Sequence, residues 1–172
     1  MKKIILLSDT HGYVDSKILK YVEEADEVWH AGDIGSFEVI NKLSSIKPVK
    51  AVYGNIDNQE LRKEFKKDMI FSVQGVKVLM THIGGYPNNY NPRVFKLLNL
   101  EKPNLLICGH SHILKVIKDE KFDLLHLNPG ACGIFGFHRL RTMIRFSLNL
   151  GRIINLEIIE LGLRGKLTQP IN

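Results

Sequence analysis

The run Ile4-Ile5-Leu6-Leu7-Ser8-Asp9-Thr10-His11-Gly12 is uninterrupted apolar sequence that stops on a carboxylate and an imidazole two residues apart. A short apolar run without alternation, bounded by turn formers, predicts a strand at the centre of a sheet covered on both faces. Asp9 and His11 lie just past its end and are placed to aim into one crevice, where they read as metal ligands. Taken alone, the pair is a weak signal, because a helix N-cap beside a surface histidine places the same residue types together. Its meaning depends on what the later strands deliver.

Residues 16–24 carry Ile18, Leu19 and Val22 at helical spacing, with Asp15 or Ser16 as N-cap. A strand over residues 27–31 then runs into Gly32-Asp33. Ser36 is expected to cap a helix through Leu43, and a strand over residues 48–53 ends in Gly54-Asn55-Ile56-Asp57. Residues 58–66 read as a helix. Two strands, residues 69–73 and 76–81, form a hairpin about Gln74-Gly75, and the second ends on His82. A loop of turn formers, residues 84–92, precedes a helix over residues 93–98, and a strand over residues 105–108 ends in Gly109-His110-Ser111-His112. Residues 114–118 and 122–127 predict an antiparallel pair before the turn Asn128-Pro129-Gly130-Ala131. Residues 142–148 and 153–159 predict a hairpin of the kind that extends a second sheet. Residues 1–165 read as one domain and residues 166–172 as a short C-terminal tail.

Five strands therefore end in ligand-type side chains: Asp9 with His11, Asp33, Asn55, His82, and His110 with His112. In open α/β sheets the crevice beyond the carboxyl ends of the strands is where loop side chains converge on ligands. These seven nitrogen and oxygen donors exceed what one tetrahedral zinc takes. With no thiolate among them, they suit two divalent ions sharing a carboxylate. Asp33, in the middle of the set, is the natural bridge.

Composition sets the outer limits. At 172 residues, 44% hydrophobic and 24% charged, the chain has the make-up of a globular protein rather than a disordered or fibrous one. No segment has the length of a membrane span, and the apolar start is too short for a secretory signal, so no membrane partner and a cytoplasmic location are expected. Cys108 and Cys132 are too few for a disulfide framework; both read as reduced, Cys108 as a core residue. The net charge of +6 favours anionic partners, phosphate esters or nucleic acid. The lysines are interleaved with glutamates and make no basic stripe, so nucleic acid has no specific support.

The series Asp9-x-His11, Gly32-Asp33, Gly54-Asn55-x-Asp57, His82 and Gly109-His110-x-His112 resembles the motifs of the calcineurin-like metallophosphoesterases, and in particular the small YfcE-like phosphodiesterases of bacteria and archaea. The resemblance spans roughly residues 1 to 160, and the Asn128-Pro129-Gly130 turn is similar to that branch's Asn-Pro-Gly-Ser motif. It implies an α/β fold, a four-layer αββα sandwich of two mixed sheets flanked by helices. It also implies two divalent ions per chain, with manganese foremost and nickel, iron or zinc as alternatives. One ion would be held by Asp9, His11, Asp33 and His112, the other by Asp33, Asn55, His82 and His110. The reaction implied is hydrolysis of a small phosphodiester by in-line attack of a metal-bridging hydroxide, with Asp33, Asn55, Asp57 and His82 as the catalytic set. Asn55, Gly84 and Arg139 are expected to contact substrate, and the sequence leaves a homo-oligomer open.

The chain departs from the family pattern at three places. Ile56 stands where many members carry a histidine that protonates the leaving oxygen, which predicts better activity on diesters with good leaving groups than on alkyl monoesters. The glycine expected directly after His82 comes one residue later, as Gly84, and Ala131 replaces the motif serine. Asp57 reads either as an orienting group or as the N-cap of the helix that follows. His30 reads as a core or bracing histidine, Trp29 as core, and His126 as a structural residue with the crevice in reach. His138 reads as part of a solvated loop, with Arg139 and Arg141 as a possible phosphate rim. Two rival functions are a non-catalytic scaffold of the same fold, as in the retromer subunit of eukaryotes, and a nuclease or nucleic-acid-binding module.

Overall fold

A computed structural model describes residues 1–165. In chain order the elements are β1 (Lys2–Leu7), α1 (Ser16–Glu23), β2 (Glu27–His30), α2 (Phe37–Ser44), β3 (Val49–Ala51) and α3 (Gln59–Glu64). They continue with β4 (Asp68–Val73), β5 (Val76–Thr81), β6 (Gly85–Tyr86), β7 (Asn89–Tyr90) and α4 (Pro92–Glu101). The last are β8 (Leu105–Ile107), β9 (Leu114–Asp119), β10 (Leu124–Pro129), β11 (Leu140–Asn149) and β12 (Arg152–Leu163). The expected tail, residues 166–172, lies outside the described residues.

Two five-stranded mixed sheets form, ordered β12-β11-β1-β2-β3 and β4-β5-β8-β10-β9. β1 is parallel to β2 and antiparallel to β11, which makes it the middle strand of its sheet. Successive side chains on a strand point to opposite faces. Ile4 and Leu6 therefore pack with Trp29, Val78, Met80 and Ile107 between the sheets, while Ile5 and Leu7 pack outward with Ile18, Val22, Ile40 and Leu43 of α1 and α2. Burial on both faces is why the run carries no polar alternation. On the far side, Val94 and Leu98 of α4 cover Leu79, Leu106 and Leu124. The layers are thus helix, sheet, sheet, helix, as the motif resemblance implied.

The local rules are legible at most helix ends. Asp15 and Asn58 each accept an N–H three residues on, from Ile18 and Leu61, and so cap α1 and α3. Ser36 occupies the N-cap of α2 without a side-chain bond. One expectation fails: the hairpin of β11 and β12 joins the sheet of β1 rather than a second one, because residues 144–148 of β11 pair with β1. The 84–92 loop also contains a small hairpin of its own, β6 with β7.

Candidate metal centre

The carboxyl ends of β1, β2, β3, β5 and β8 all face one edge of the sandwich, and the two sheets bring their loops together there. Asp9, His11 and His112 form one group of donors within metal-binding reach of one another, and Asp33, His82 and His110 form a second. Asp9 Oδ1 lies 3.1 Å from His112 Nε2 and 3.9 Å from His11 Nε2. Asp33 joins the groups, with Oδ2 3.7 Å from His11 Nε2 and Oδ1 3.2 Å from His82 Nε2. Asn55 Oδ1 lies 3.1 Å from the same His82 nitrogen, which places Asn55 with the second group.

Hydrogen bonding fixes which atoms face the centre. His82 Nδ1 donates to the Ala31 carbonyl at 2.8 Å, so its Nε2 points at the oxygens of Asp33, Asn55 and Asp9. Three oxygens facing one imidazole nitrogen are balanced only by a proton or a cation between them. Burial opposes protonation of His82, but its bond to Asp33 and the charges of Asp9 and Asp33 outweigh it and raise its pKa. Burial opposes ionisation of Asp33 too, and His82, the Ile56 N–H and His11 overcome it and hold that carboxyl below the usual range. Among the described residues, Asp9 Oδ1 and His11 Nε2 are buried with no hydrogen-bond partner. Buried polar atoms are rarely left so. Orphaned donor atoms converging from oxygen and nitrogen ligands fit divalent cations in both groups.

The backbone at the centre is unusual. Asp9, His11, Asp33, His110 and His112 all have positive φ, between 48° and 66°. The left-handed conformation costs a non-glycine residue roughly 1–2 kcal/mol, and such strain persists where surrounding structure enforces it. Here the enforcement is visible. Asp9, His11 and Gly12 donate their N–H groups to the carbonyls of Gly32, Asp33 and Ile34, zipping the first loop to the second. His30 braces the same pair of loops: its Nδ1 accepts from Gly32 N and its Nε2 contacts Thr10 Oγ1 at 2.9 Å. Full burial pushes the His30 pKa down to about 3, so it stays neutral. It is the bracing residue its position suggested.

Other expected site residues fall elsewhere. The Asp57 carboxylate is buried and accepts the N–H groups of Ile34 (3.1 Å), Gly35 (2.8 Å) and Gly54 (2.7 Å). It belongs to neither donor group, and Asn58 rather than Asp57 caps α3. Its place is to pin the Asp33 loop to the Asn55 loop. Gly84 is buried, and a Cβ there would fall on Cys108 Sγ, so it faces the interior of the loop rather than the opening. Arg139 is exposed and outside both groups. Arg141 is buried, donating to the Cys132 carbonyl at 2.7 Å and to Asp15 at 2.9 Å, which takes it out of any phosphate rim. His138 is buried, not solvated; its Nε2 donates to Gly133 O at 3.0 Å and its ring packs edge-on against His112, centroids 5.3 Å apart. His126 is buried and donates to Gly85 O, anchoring the 84–92 loop. Cys108 and Cys132 are both buried, and burial pushes each thiol up to about 12.

Asn128 shows what the Asn-Pro-Gly turn does: its Nδ2 donates to Gly109 O (2.7 Å) and Ser111 Oγ (3.1 Å), holding the loop that carries His110 and His112. Sequence reading also missed Arg62, whose Nε and Nη2 donate to the carbonyls of Asp57 and Asn55 at 2.7 Å each. Its only sequence signal is a cation five residues after Asp57 on the helix that leaves the loop.

The model of the calcineurin-like phosphoesterase superfamily domain matches residues 1–150, which include every donor above. The chain belongs to that superfamily. A probable metallophosphoesterase of Methanothermobacter thermautotrophicus is 27% identical over 164 residues, covering 91% of each chain. Among solved structures, an archaeal phosphodiesterase superposes with a TM-score of 0.68 at 21% identity, over 92% of this chain and 99% of that one. Vps29 of Entamoeba histolytica complexed with zinc superposes with a TM-score of 0.70 at 15% identity, over 92% and 98%. At these identities the two structures carry the fold alone. The superfamily and its relatives' names point to phosphoric ester hydrolysis with divalent metals as the cofactor class. Among the described residues no helix is long and apolar enough to cross a membrane.

Proposed function

We propose that this chain is a two-metal phosphodiesterase acting on small phosphodiesters. The observation that carries the reading is the pair of donor groups sharing Asp33, with Asp9 Oδ1 and His11 Nε2 otherwise unpartnered. Asp9, His11, Asp33 and His112 would hold one ion, and Asp33, Asn55, His82 and His110 the other. Bound there, divalent ions polarise a phosphoryl oxygen and make a water nucleophilic near neutral pH. Manganese is the foremost candidate, with nickel, iron and zinc admitted by the same donors.

The chain's own groups do the rest. His82 is held by Ala31 and cannot rotate away from the centre. With Asn55 Oδ1 turned to His82, Asn55 Nδ2 is left to donate to a phosphate oxygen where charge develops. The Ile56 N–H donates to Asp33 at 3.0 Å, so this residue serves through its backbone while its exposed apolar side chain offers no proton to a leaving oxygen. Diesters with acidic alcohols are therefore the preferred substrates.

The test is metal-stripped protein titrated with Mn2+, Ni2+, Fe2+ and Zn2+ against mono-, di- and cyclic phosphates. Metal-dependent hydrolysis of aryl diesters above alkyl monoesters is expected; no hydrolysis of any ester with any ion would overturn the reading. The likeness to Vps29 fits the rival of a non-catalytic module, which that negative result would favour. DNA affinity that survives chelation would favour nucleic-acid binding instead.

A further inference from the structure

Beside the second donor group lies a cavity of about 180 Å³ that opens on Asn55 and His82. Its walls add Tyr53, Arg62, Lys67 and Arg93, so three cations face one small space next to the centre. Arg93 is ion-paired with Asp68 and also donates to Thr81 Oγ1 and the Ile83 carbonyl. Arg62 differs. Its guanidinium lies over the Tyr53 ring, 5.3 Å from the centroid, and is pinned by the carbonyls of Asp57 and Asn55, bonds that leave its charge uncompensated. Among the described residues neither Arg62 nor Lys67 has an acidic partner.

We propose that this pocket holds a second phosphate carried by the substrate, so that the preferred substrates are phosphodiesters of already phosphorylated alcohols. The proposal rests on the phosphodiesterase reading and narrows it. A dianion suits the pocket better than a carboxylate does, because two uncompensated cations and a third ion-paired one converge there. Arg62 is also pre-positioned, and a fixed guanidinium suits the oxygens of a phosphate. Asn55 and His82 border both the pocket and the donor group, so one molecule spans the two with its scissile phosphate at the centre. Arg62 bonds the carbonyl of Asn55, so a phosphate seated on it also settles the residue that faces His82.

The experiment uses a matched pair on the metal-loaded protein: thymidine 5′-(4-nitrophenyl phosphate) and the same ester bearing a 3′-phosphate. They share the leaving group and differ only in the second phosphate. The phosphorylated ester is expected to have kcat/KM about tenfold higher or more, the scale of one to two charge-assisted contacts. That ratio should fall towards one in Lys67→Glu, fall less in Lys67→Arg, and drop in Arg62→Lys, which loses the fork geometry. Lys20→Glu, on α1 away from the pocket, should keep it. No preference in the unaltered protein, an undiminished ratio in Lys67→Glu and Arg62→Lys, or an equal loss in Lys20→Glu overturns the proposal. If neither ester is hydrolysed, the phosphodiesterase reading has failed separately. Calorimetric titration with thymidine 3′,5′-bisphosphate against thymidine 5′-monophosphate then decides the pocket, a tighter bisphosphate weakened by Lys67→Glu supporting it and equal affinities refuting it.

Discussion

Asp9 Oδ1 lies 3.1 Å from His112 Nε2, although Asp9 follows a strand of one sheet and His112 a strand of the other. The centre is therefore a seam between the sheets, and each donor group needs both of them. Asp9→Asn and His112→Gln should lose the same ion and leave the other in place. Metal content of dialysed protein checks this. If the two variants lost different ions, Asp9 and His112 would not share a site.

Asp33 is the contrasting case. Its two oxygens face different groups, towards His11 and towards His82, so Asp33→Ala should deplete both ions and abolish hydrolysis. Retention of one full equivalent of metal by that variant would show that Asp33 does not bridge.

The glycines before the donors are there for space. A Cβ on Gly109 would fall on Ser8 Oγ and within 3.0 Å of Asp9 Oδ2, and one on Gly54 would fall on Asp33 itself. Gly109→Ala should therefore shift Asp9 and weaken metal binding on the order of 10- to 100-fold, as loss of a ligand's support does. Gly151→Ala, in the β11–β12 turn with φ +77°, should cost stability by roughly 1 kcal/mol and leave metal affinity alone. Equal metal affinity in both variants would refute the steric account.

Asp57 holds three N–H groups from two loops. Asn at this position retains one carbonyl acceptor and turns an NH2 towards donors, so Asp57→Asn should cost on the order of 2–3 kcal/mol, a Tm lower by roughly 5–10 °C. Metal affinity should fall with it, since Asp33 and Asn55 flank the pinned segments. A variant with unchanged Tm would remove Asp57 from this role.

Much of this centre was legible because strand ends and ligand types coincide: Ile4 to Leu7 reads as a doubly covered strand, and five strands deliver donors to one edge. What stayed hidden depends on distances between loops far apart in sequence. Asp57 looked like a cap or an orienting acid, and only the approach of Gly54 and Gly35 shows it as a pin. Arg139 and Arg141 look alike in sequence, yet Asp15 and the Cys132 carbonyl draw Arg141 inside. The hairpin of β11 and β12 extends the sheet of β1 and not a second one, since two β-like runs about a turn tell that they pair with each other and not which third strand they join. The left-handed φ of five donors has no local signature either, since His and Asp adopt it here under the grip of neighbouring loops.

His126 gives a pH test away from the centre. It is buried, its Nε2 donates to Gly85 O, and burial pushes its pKa down to about 4 from an ordinary 6.5. The unfolded chain therefore takes up a proton between those values that the folded chain refuses. The stability contribution is complete above about pH 6.5 and is lost as pH falls towards 4. Between pH 7 and pH 5 the loss from this residue should be about 2 kcal/mol. Glu27 and Asp15 do not confound that window. Burial opposes their ionisation, but Lys2 and Lys50 around Glu27, and Arg141 beside Asp15, hold both carboxyls below their ordinary values, so their contributions fade only at lower pH. Thermal melts at pH 7 and pH 5 should show a smaller drop for His126→Gln, which keeps a donor for Gly85 and cannot titrate. An identical drop in both proteins would place the acid sensitivity elsewhere, His30 with its pKa of about 3 being the next residue to test.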